Sequence, residues 1–151
     1  MLRLQRINPF NTVELLFMYE TRFHPEVVKT LISAEKPNYD KHVEYLRRKD
    51  QSGHLFFICY GDLLPVGYCQ CFSIRENVWE LGWVVHPNHQ GKGFGVTSVN
   101  LLVKEVLNMG GHIAELIVMK CNSKAFSIYQ KSGFKILEDC GDSWRMSLFL
   151  L

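Results

Sequence analysis

The sequence lacks a long apolar run and a strong charge of either sign. No stretch reaches the roughly 18 consecutive apolar residues that a membrane-spanning helix requires, and the segment Met1–Arg6 lacks the apolar core of a signal peptide. The formal net charge is only +2, which is too small to indicate a nucleic-acid partner. We therefore expect a protein that binds neither membranes nor nucleic acid.

The sequence also lacks a cysteine framework. It has 5 cysteines, and none of them forms a Cys-x-x-Cys pair, so neither a set of disulfides nor a zinc site is expected. Cys69 and Cys71 fall on one face of a predicted strand, but a second pair of metal ligands is missing. Reduced thiols are typical of cytoplasmic proteins. We predict that location and no bound metal.

What the sequence does contain is the composition of a folded globular protein. Hydrophobic residues make up 47% of the chain and charged residues 21%, which excludes intrinsic disorder. The length of 151 residues is enough for one domain with a substantial core. We predict a single domain over residues 1–151.

Alternating apolar and polar residues, and short runs of branched and aromatic residues, predict seven strands separated by turn residues. The first strand precedes two helices, three strands follow as an antiparallel meander, and helices then alternate with strands. This order predicts an α/β fold with a mixed, mostly antiparallel twisted sheet flanked by helices. The predicted strands are Leu2–Ile7, Leu55–Tyr60, Val66–Ile74, Val78–Val85, Ile113–Met119, Phe134–Leu137 and Trp144–Leu150.

Four helices are predicted from apolar spacing and from capping residues. The segment between the first two, around His24-Pro25 and Lys36-Pro37, is expected to be irregular. Glycines are expected to end the last two helices, at Gly110-Gly111 and at Gly133. The predicted helix starts are Asn11 or Thr12, Asn38 or Asp40, Gly95, and Asn122 or Ser123.

A glycine-rich loop, Gln90–Gly95, connects the strand that ends at Val85 to the third helix. Glycines leave the backbone N–H groups unobstructed, and a helix N-terminus supplies unpaired donors and a partial positive charge. With Lys92 beside them, these groups form an anion site suited to a pyrophosphate. Gly93 stands where a Walker loop needs Ser or Thr, and the last glycine spacing does not fit a dinucleotide fingerprint. A connection that binds no ligand is the remaining alternative.

Two blocks of residues, Val85–Gly95 and the spaced set from Asn122 to Phe134, resemble motifs of the GCN5-related N-acetyltransferase (GNAT) family. The first, Val85–Gly95, is similar to the cofactor motif of the family, in which Val-x-Pro precedes Gln or Arg-x-x-Gly-x-Gly or Ala. The second is similar to a later Asn-x-x-Ala-x-x-x-Tyr-x-x-x-Gly-Phe pattern. Both blocks occur in the family's order, and the resemblance covers about Trp79 to Leu137. The second block consists of Asn122, Ala125, Tyr129, Gly133 and Phe134.

The resemblance implies transfer of an acetyl group from acetyl-CoA to a primary amine by direct attack on the thioester. It implies that Glu80 is the general base and that Tyr129 protonates the departing thiolate. Glu80 as a strand residue that faces solvent or binds an ammonium, and Tyr129 as a packing residue, are the alternatives. The implied cofactor-binding residues are Trp83, Val84 and Val85 through their backbone, Gln90, Gly91, Lys92, Gly93, Phe94, Gly95, and Asn122, which would also cap a helix.

Four histidine and arginine positions remain open. Because histidine as a residue type titrates near neutrality, His86 and His89 are rivals of Glu80 as the base, but both flank the glycine loop and are expected to be loop residues. Arg22 and His24 are expected either to contact an anionic acceptor or to fix a helix end through a salt bridge.

The acceptor is expected to bind the first two helices and the strand ends opposite the loop, roughly Asn11–Arg48. Within that region, Arg22–Pro25 and His42–Leu46 resemble acetyltransferases of nucleotide-linked amino sugars in the pseudaminic acid pathway. A looser similarity is to enzymes that acetylate ribosomal-protein N-termini, and a non-catalytic acetyl-CoA sensor is a further alternative. The expected partner is thus a small-molecule or peptide amine, with homodimerisation left open.

Overall fold

Seven strands form one sheet in the computed structural model, which describes residues 1–31 and 35–150. The strand order is β1-β2-β3-β4-β5-β7-β6. Neighbouring strands run antiparallel except β4 and β5, which run parallel, so the predicted mixed, mostly antiparallel sheet is confirmed. The strands are β1 Leu2–Arg6, β2 Leu55–Gly61, β3 Leu64–Arg75, β4 Val78–Val85, β5 Ile113–Met119, β6 Lys135–Asp139 and β7 Ser143–Phe149.

The helices begin close to the predicted capping residues. The side chains of Asn11, Asn38 and Asn122 each accept a hydrogen bond from a backbone N–H in the first turn, which satisfies one of the unpaired donors there. No helix among the described residues is long and apolar enough to cross a bilayer. The helices are α1 Thr12–Arg22, α2 Pro25–Val28, α3 Tyr39–Gln51, α4 Phe94–Asn108 and α5 Ser123–Lys131.

The short helix α2 corrects the prediction that the chain is irregular around His24-Pro25. The His24 imidazole caps this helix, because its Nδ1 accepts a hydrogen bond from the Glu26 N–H at 3.2 Å. Pro25 occupies the first turn, where its missing N–H costs nothing. One turn is too short to produce an apolar period, so the pattern that reveals longer helices could not reveal this one.

The sheet separates two apolar clusters, one on each face. The larger cluster lies under α4 and α5 and includes Leu81, Leu102 and Tyr129. The smaller lies under α1 and α3 and includes Leu15, Leu46 and Tyr68. Burial of these clusters anchors the helices against the sheet from both sides.

The sheet forks between β4 and β5. The two strands pair only from Val78–Glu80 to Ile113–Glu115, although β4 continues to Val85 and β5 to Met119. Beyond Glu80, β4 keeps its ladder with β3 on one side but has no register partner on β5. This fork leaves a stretch of backbone donors and acceptors available beside the glycine loop.

Candidate active site

The glycine loop and the start of α4 form an open cradle of backbone N–H groups. Gly91 and Gly93 adopt left-handed conformations with φ of 78° and 80°, which favours glycine over residues with a side chain. Gly93 is the N-cap of α4, and no side chain in the described part of the chain caps this helix start. A Cβ at either glycine would meet nothing within 4 Å. The first turn of α4 therefore keeps its donors for an anion.

Gly95 serves a different purpose from the two glycines before it. A Cβ at this position would lie 2.5 Å from Ile128 Cδ1 of α5. The missing side chain thus allows α4 and α5 to pack closely. From the sequence, all three glycines were assigned to the anion-binding loop. The structure shows that Gly95 is a packing position, whereas Gly91 and Gly93 are loop positions.

Gln90 holds the loop against the end of β4. Its Nε2 donates to the carbonyl oxygen of Val85 at 3.2 Å. The same strand end is fixed by the His86 N–H, which donates to the carbonyl oxygen of Val66 at 2.8 Å. These two bonds place the loop directly beyond the fork.

The strand segment Trp83–Val85 borders the open side of the fork. On its other side it pairs with β3, where Gly67 faces Val85. A Cβ at Gly67 would clash with the carbonyl oxygen of Val84, so glycine permits the close approach of β3. The Trp83 indole is partly buried against the larger cluster, and within the described chain its buried N–H has no hydrogen-bond partner.

Tyr129 lies on the α4–α5 face of the sheet. Its side chain is buried, and its ring centroid lies 5.4 Å from that of Trp83 and 6.1 Å from that of Phe134. Burial raises the pKa of the Tyr129 phenol, so the phenol keeps its proton at neutral pH. A protonated phenol beside the fork is able to donate to a leaving group.

Asn122 lies where α5 begins, and its side-chain oxygen accepts from the Ala125 N–H at 3.3 Å. The capping role foreseen from the sequence is therefore present. Its amide nitrogen remains available as a donor, so contact with a ligand remains a prediction alongside the cap.

Glu80 lies on the opposite face of the sheet from Tyr129. Successive residues of a strand point to opposite faces. Leu81 and Trp83 belong to the larger cluster with Tyr129, whereas Val84 packs against the smaller one. The even-numbered Glu80 therefore shares the α1–α3 face with Val84. The Glu80 carboxylate and the Tyr129 phenol therefore lie on opposite faces of the sheet, with the fork between them.

The Glu80 carboxylate belongs to a charged cluster that we call the fork cluster, made of Arg75, Glu80, Glu115 and Arg145. Arg145 Nη1 donates to Glu115 Oε1 at 2.9 Å and to Glu80 Oε1 at 3.4 Å. Arg75 Nη2 donates to Glu115 Oε2. Sequence reasoning missed Arg75, Glu115 and Arg145 as parts of this site. A glutamate in the middle of the apolar strand Ile113–Met119 was the signal that pointed to it.

Three histidines connect the acceptor side of the chain to the glycine loop. The His24 ring lies 5.6 Å from the His86 ring, which lies 6.1 Å from the His89 ring. His86 Nδ1 accepts from the Asn88 N–H at 3.2 Å, so this histidine caps the turn Pro87–His89. Partial burial lowers the pKa of His86, and the neighbouring imidazoles of His24 and His89 lower it further.

Arg22 ends α1, and its guanidinium lies 4.9 Å above the Phe23 ring. His42 of α3 packs against the same ring, with a centroid distance of 5.7 Å. Burial lowers the pKa of His42 to about 4, with the charge of Arg22 adding to the effect. His42 is therefore neutral at physiological pH. Arg22 and His42 thus lie together against the Phe23 ring, within the predicted acceptor region, of which residues 32–34 lie outside the described part.

The cysteines are free thiols, with Cys59, Cys69 and Cys71 buried and Cys121 and Cys140 exposed. Burial raises the pKa of the Cys71 thiol to about 12, and the nearby Glu105 contributes to the shift. This thiol is therefore unreactive at neutral pH. Over residues 1–31 and 35–150, no three His, Cys, Asp or Glu side chains are arranged to hold a metal ion.

Comparison with known proteins gives consistent matches over most of the chain. A family model described as Acetyltransferase (GNAT) family matches residues 16–134. A relative called Acetyltransferase PseH, from Campylobacter jejuni, is 24% identical over 150 residues, covering 98% of this chain and 94% of the relative.

Solved structures match the fold over nearly the whole chain. The spermidine N-acetyltransferase of Vibrio cholerae in complex with CoA and spermine superposes with a TM-score of 0.88 at 19% identity, over 99% of this chain and 95% of that one. Campylobacter jejuni PseH in complex with acetyl coenzyme A gives a TM-score of 0.78 at 21% identity, over 99% of both chains.

Proposed function

This chain belongs to the acetyltransferase (GNAT) family, and from that premise we propose which donor it binds, which residues carry the reaction and which acceptor it uses. Its general activity is that of an N-acetyltransferase. We propose that residues 1–151 form a single acetyltransferase domain. The donor in our proposal is acetyl-CoA, and the acceptor is the amine of a nucleotide-linked amino sugar.

The cradle at Gln90–Gly95 fits the pyrophosphate of acetyl-CoA. Two left-handed glycines and an uncapped helix start present N–H groups and a positive dipole end, and Lys92 adds a cation. The unpaired edge of β4 at Trp83–Val85 is suited to hydrogen-bond the pantetheine arm as an added strand would. Asn122 supplies a further donor across the fork. The solved structures of similar fold that hold CoA or acetyl-CoA support this assignment.

The observation that carries the reaction is the placement of Glu80 and Tyr129 on opposite faces of the fork. Glu80 accepts the proton that the attacking ammonium must lose before its nitrogen can bond to the thioester carbon. As the carbon–sulfur bond breaks, Tyr129 gives its proton to the thiolate. In this proposal, backbone N–H groups of the β4 edge beyond its ladder with β5 stabilise the oxyanion that forms between these two steps.

The proposed acceptor class rests on the resemblance of Arg22–Pro25 and His42–Leu46 to acetyltransferases of nucleotide-linked amino sugars. The Campylobacter jejuni relative covers this region as well as the donor site. Arg22 and His24 lie on the same side of the sheet as Glu80 and supply basic groups for a phosphate. A neutral amino sugar would leave these groups without a role in binding.

A thiol-release assay tests this proposal directly. Purified protein and acetyl-CoA are incubated with UDP-linked amino sugars, spermidine, L-amino acids and peptides with free N-termini. We expect release of CoA to be fastest with a UDP-linked amino sugar, and the free amino sugar, which lacks the nucleotide, is the matched control. Faster release with a peptide would make the chain a protein acetyltransferase. Tight acetyl-CoA binding without release on any amine would make it a sensor.

A further inference from the structure

The fork cluster holds two carboxylates that would repel each other without the arginines. Glu80 and Glu115 are register partners at the last rung of the β4–β5 ladder, and their side chains share one face of the sheet. Like charges placed opposite each other on neighbouring strands destabilise a sheet. The two carboxylates therefore destabilise the sheet unless the arginines neutralise both of them.

The two carboxylates are held very differently. Glu115 is only 2% exposed, and both of its oxygens accept from arginines, Oε1 from Arg145 and Oε2 from Arg75. Glu80 is more exposed and is contacted through Oε1 alone, at 3.4 Å. Among the residues that the structure describes, nothing donates to its Oε2. Glu115 is thus saturated and fixed, whereas Glu80 keeps one oxygen available for a proton.

We propose that Glu115 and Arg145 are positioning residues for Glu80. Glu115 fixes the guanidinium of Arg145, and that guanidinium fixes the direction of the Glu80 carboxylate at the fork through a charge-assisted hydrogen bond. This inference rests on the proposed role of Glu80 as the base. It explains why a buried acid occupies the centre of β5, where an apolar residue would pack at no electrostatic cost.

The surroundings of Glu80 leave Arg145 as its direct charged neighbour. From β5 the facing charge is Glu115, from β7 it is Arg145, and from β3 it is Arg75, which bonds to Glu115 and not to Glu80. The β3 partner of Glu80 is Phe72, whose ring stacks on the His54 imidazole with a centroid distance of 4.1 Å. Removal of Arg145 should therefore act on Glu80 more strongly than removal of Arg75.

Carboxyl-carbon NMR of the glutamate-labelled full chain tests the inference without any acceptor. The signal of Glu80 is assigned from its loss in Glu80→Gln, and its titration midpoint is compared between variants. We expect Arg145→Gln to move the midpoint up, because the variant loses the positive charge that contacts Glu80. We expect Glu115→Gln to move it down, since a negative neighbour is lost.

Arg75→Gln is the matched control, because it removes the same charge from the same cluster without a contact to Glu80. The titration midpoint of Glu80 should shift less in Arg75→Gln than in Arg145→Gln. Arg145→Lys retains the positive charge and should stay near the wild-type midpoint, which keeps the test available if Arg145→Gln does not fold. Equal shifts in Arg145→Gln and Arg75→Gln, or no shift in either, would overturn the positioning role.

Thiol release separates this inference from the proposed function. If Glu80 is the base, the acidic limb of the pH–rate profile shifts between variants in the same order as the NMR midpoints of Glu80. Ionisation of the acceptor in solution also shapes the profile, but it is the same for all variants and so does not change this order. If the NMR midpoint of Glu80 moves between variants while the acidic limb of the pH–rate profile does not, Arg145 still positions Glu80, but Glu80 is not the base. Midpoints that stay fixed would reject the positioning role whatever the activity.

Discussion

The α4–α5 side of the sheet, where we propose that the donor binds, and the α1–α3 side, where we propose that the acceptor binds, differ in what holds their functional groups. On the donor side the constraints lie in the backbone, because Gly67 admits the Val84 carbonyl and Gly95 admits Ile128. On the acceptor side they lie in side-chain contacts, such as the cap formed by His24 and the packing of Phe23 against His42. Many residues can provide side-chain contacts, whereas only glycine allows such close backbone approaches. The proposed donor site therefore leaves a long motif in the sequence, whereas the proposed acceptor region leaves only the short resemblance at Arg22–Pro25 and His42–Leu46.

The largest effect is expected at Glu80, where the two sides meet. Glu80→Gln removes the group that accepts the proton of the amine, and loss of a general base lowers kcat/KM by about 10²–10⁴-fold. Steady-state thiol release at several pH values measures this effect. Glu76→Gln, an identical substitution in the exposed turn before β4, is the control and should retain activity. A Glu80→Gln variant with a wild-type pH–rate profile would exclude Glu80 as the base.

Tyr129→Phe tests the donor side with the smallest change of shape. Because the ring still packs against Trp83 and Phe134, we expect acetyl-CoA affinity by calorimetry to persist, while turnover falls by about 10²-fold through loss of the acid. Tyr60→Phe on β2 is the control for removal of a phenol oxygen elsewhere. Unchanged turnover in Tyr129→Phe would assign the tyrosine to packing alone.

Gly95→Ala tests whether backbone packing defines the donor side. The added Cβ would lie 2.5 Å from Ile128 Cδ1, and overpacking of this kind costs about 1–3 kcal/mol in the free energy of unfolding. Ile128→Val deletes that methyl group, so the double variant should recover part of the loss in denaturant unfolding. Strictly additive effects of the two substitutions would show that this contact is not the cause.

The smallest effect is expected on the acceptor side. His24→Ala removes one capping bond and one basic group, so we expect KM for a UDP-linked amino sugar to rise by less than about tenfold, consistent with the loss of about 1 kcal/mol of contact. KM for acetyl-CoA should not change, because His24 lies outside the glycine loop. An equal rise in both KM values would mean that His24 supports the loop through His86 and not the acceptor.

The same contrast explains how far the sequence could predict the structure. The order of strands, the asparagine caps and the glycine loop follow from local patterns, and the structure confirms them. The helix at Pro25–Val28 was missed because a single turn has no period. The fork cluster was missed because Arg75, Glu115 and Arg145 are far apart in the chain and meet only through the pairing of β3, β4, β5 and β7. Such a site depends on which distant strands become neighbours, and local patterns along the chain do not show that.

A crystal structure with CoA and the acceptor identified by thiol release is the most direct test of the central claim, that the donor lies in the β4–β5 fork between Glu80 and Tyr129. We predict pyrophosphate oxygens within hydrogen-bonding distance of the N–H groups of residues 91–95. We also predict the CoA sulfur beside the Tyr129 hydroxyl and the acceptor amine on the Glu80 side of the sheet. A sulfur remote from Tyr129, or an acceptor amine on the α4–α5 face, would contradict the account.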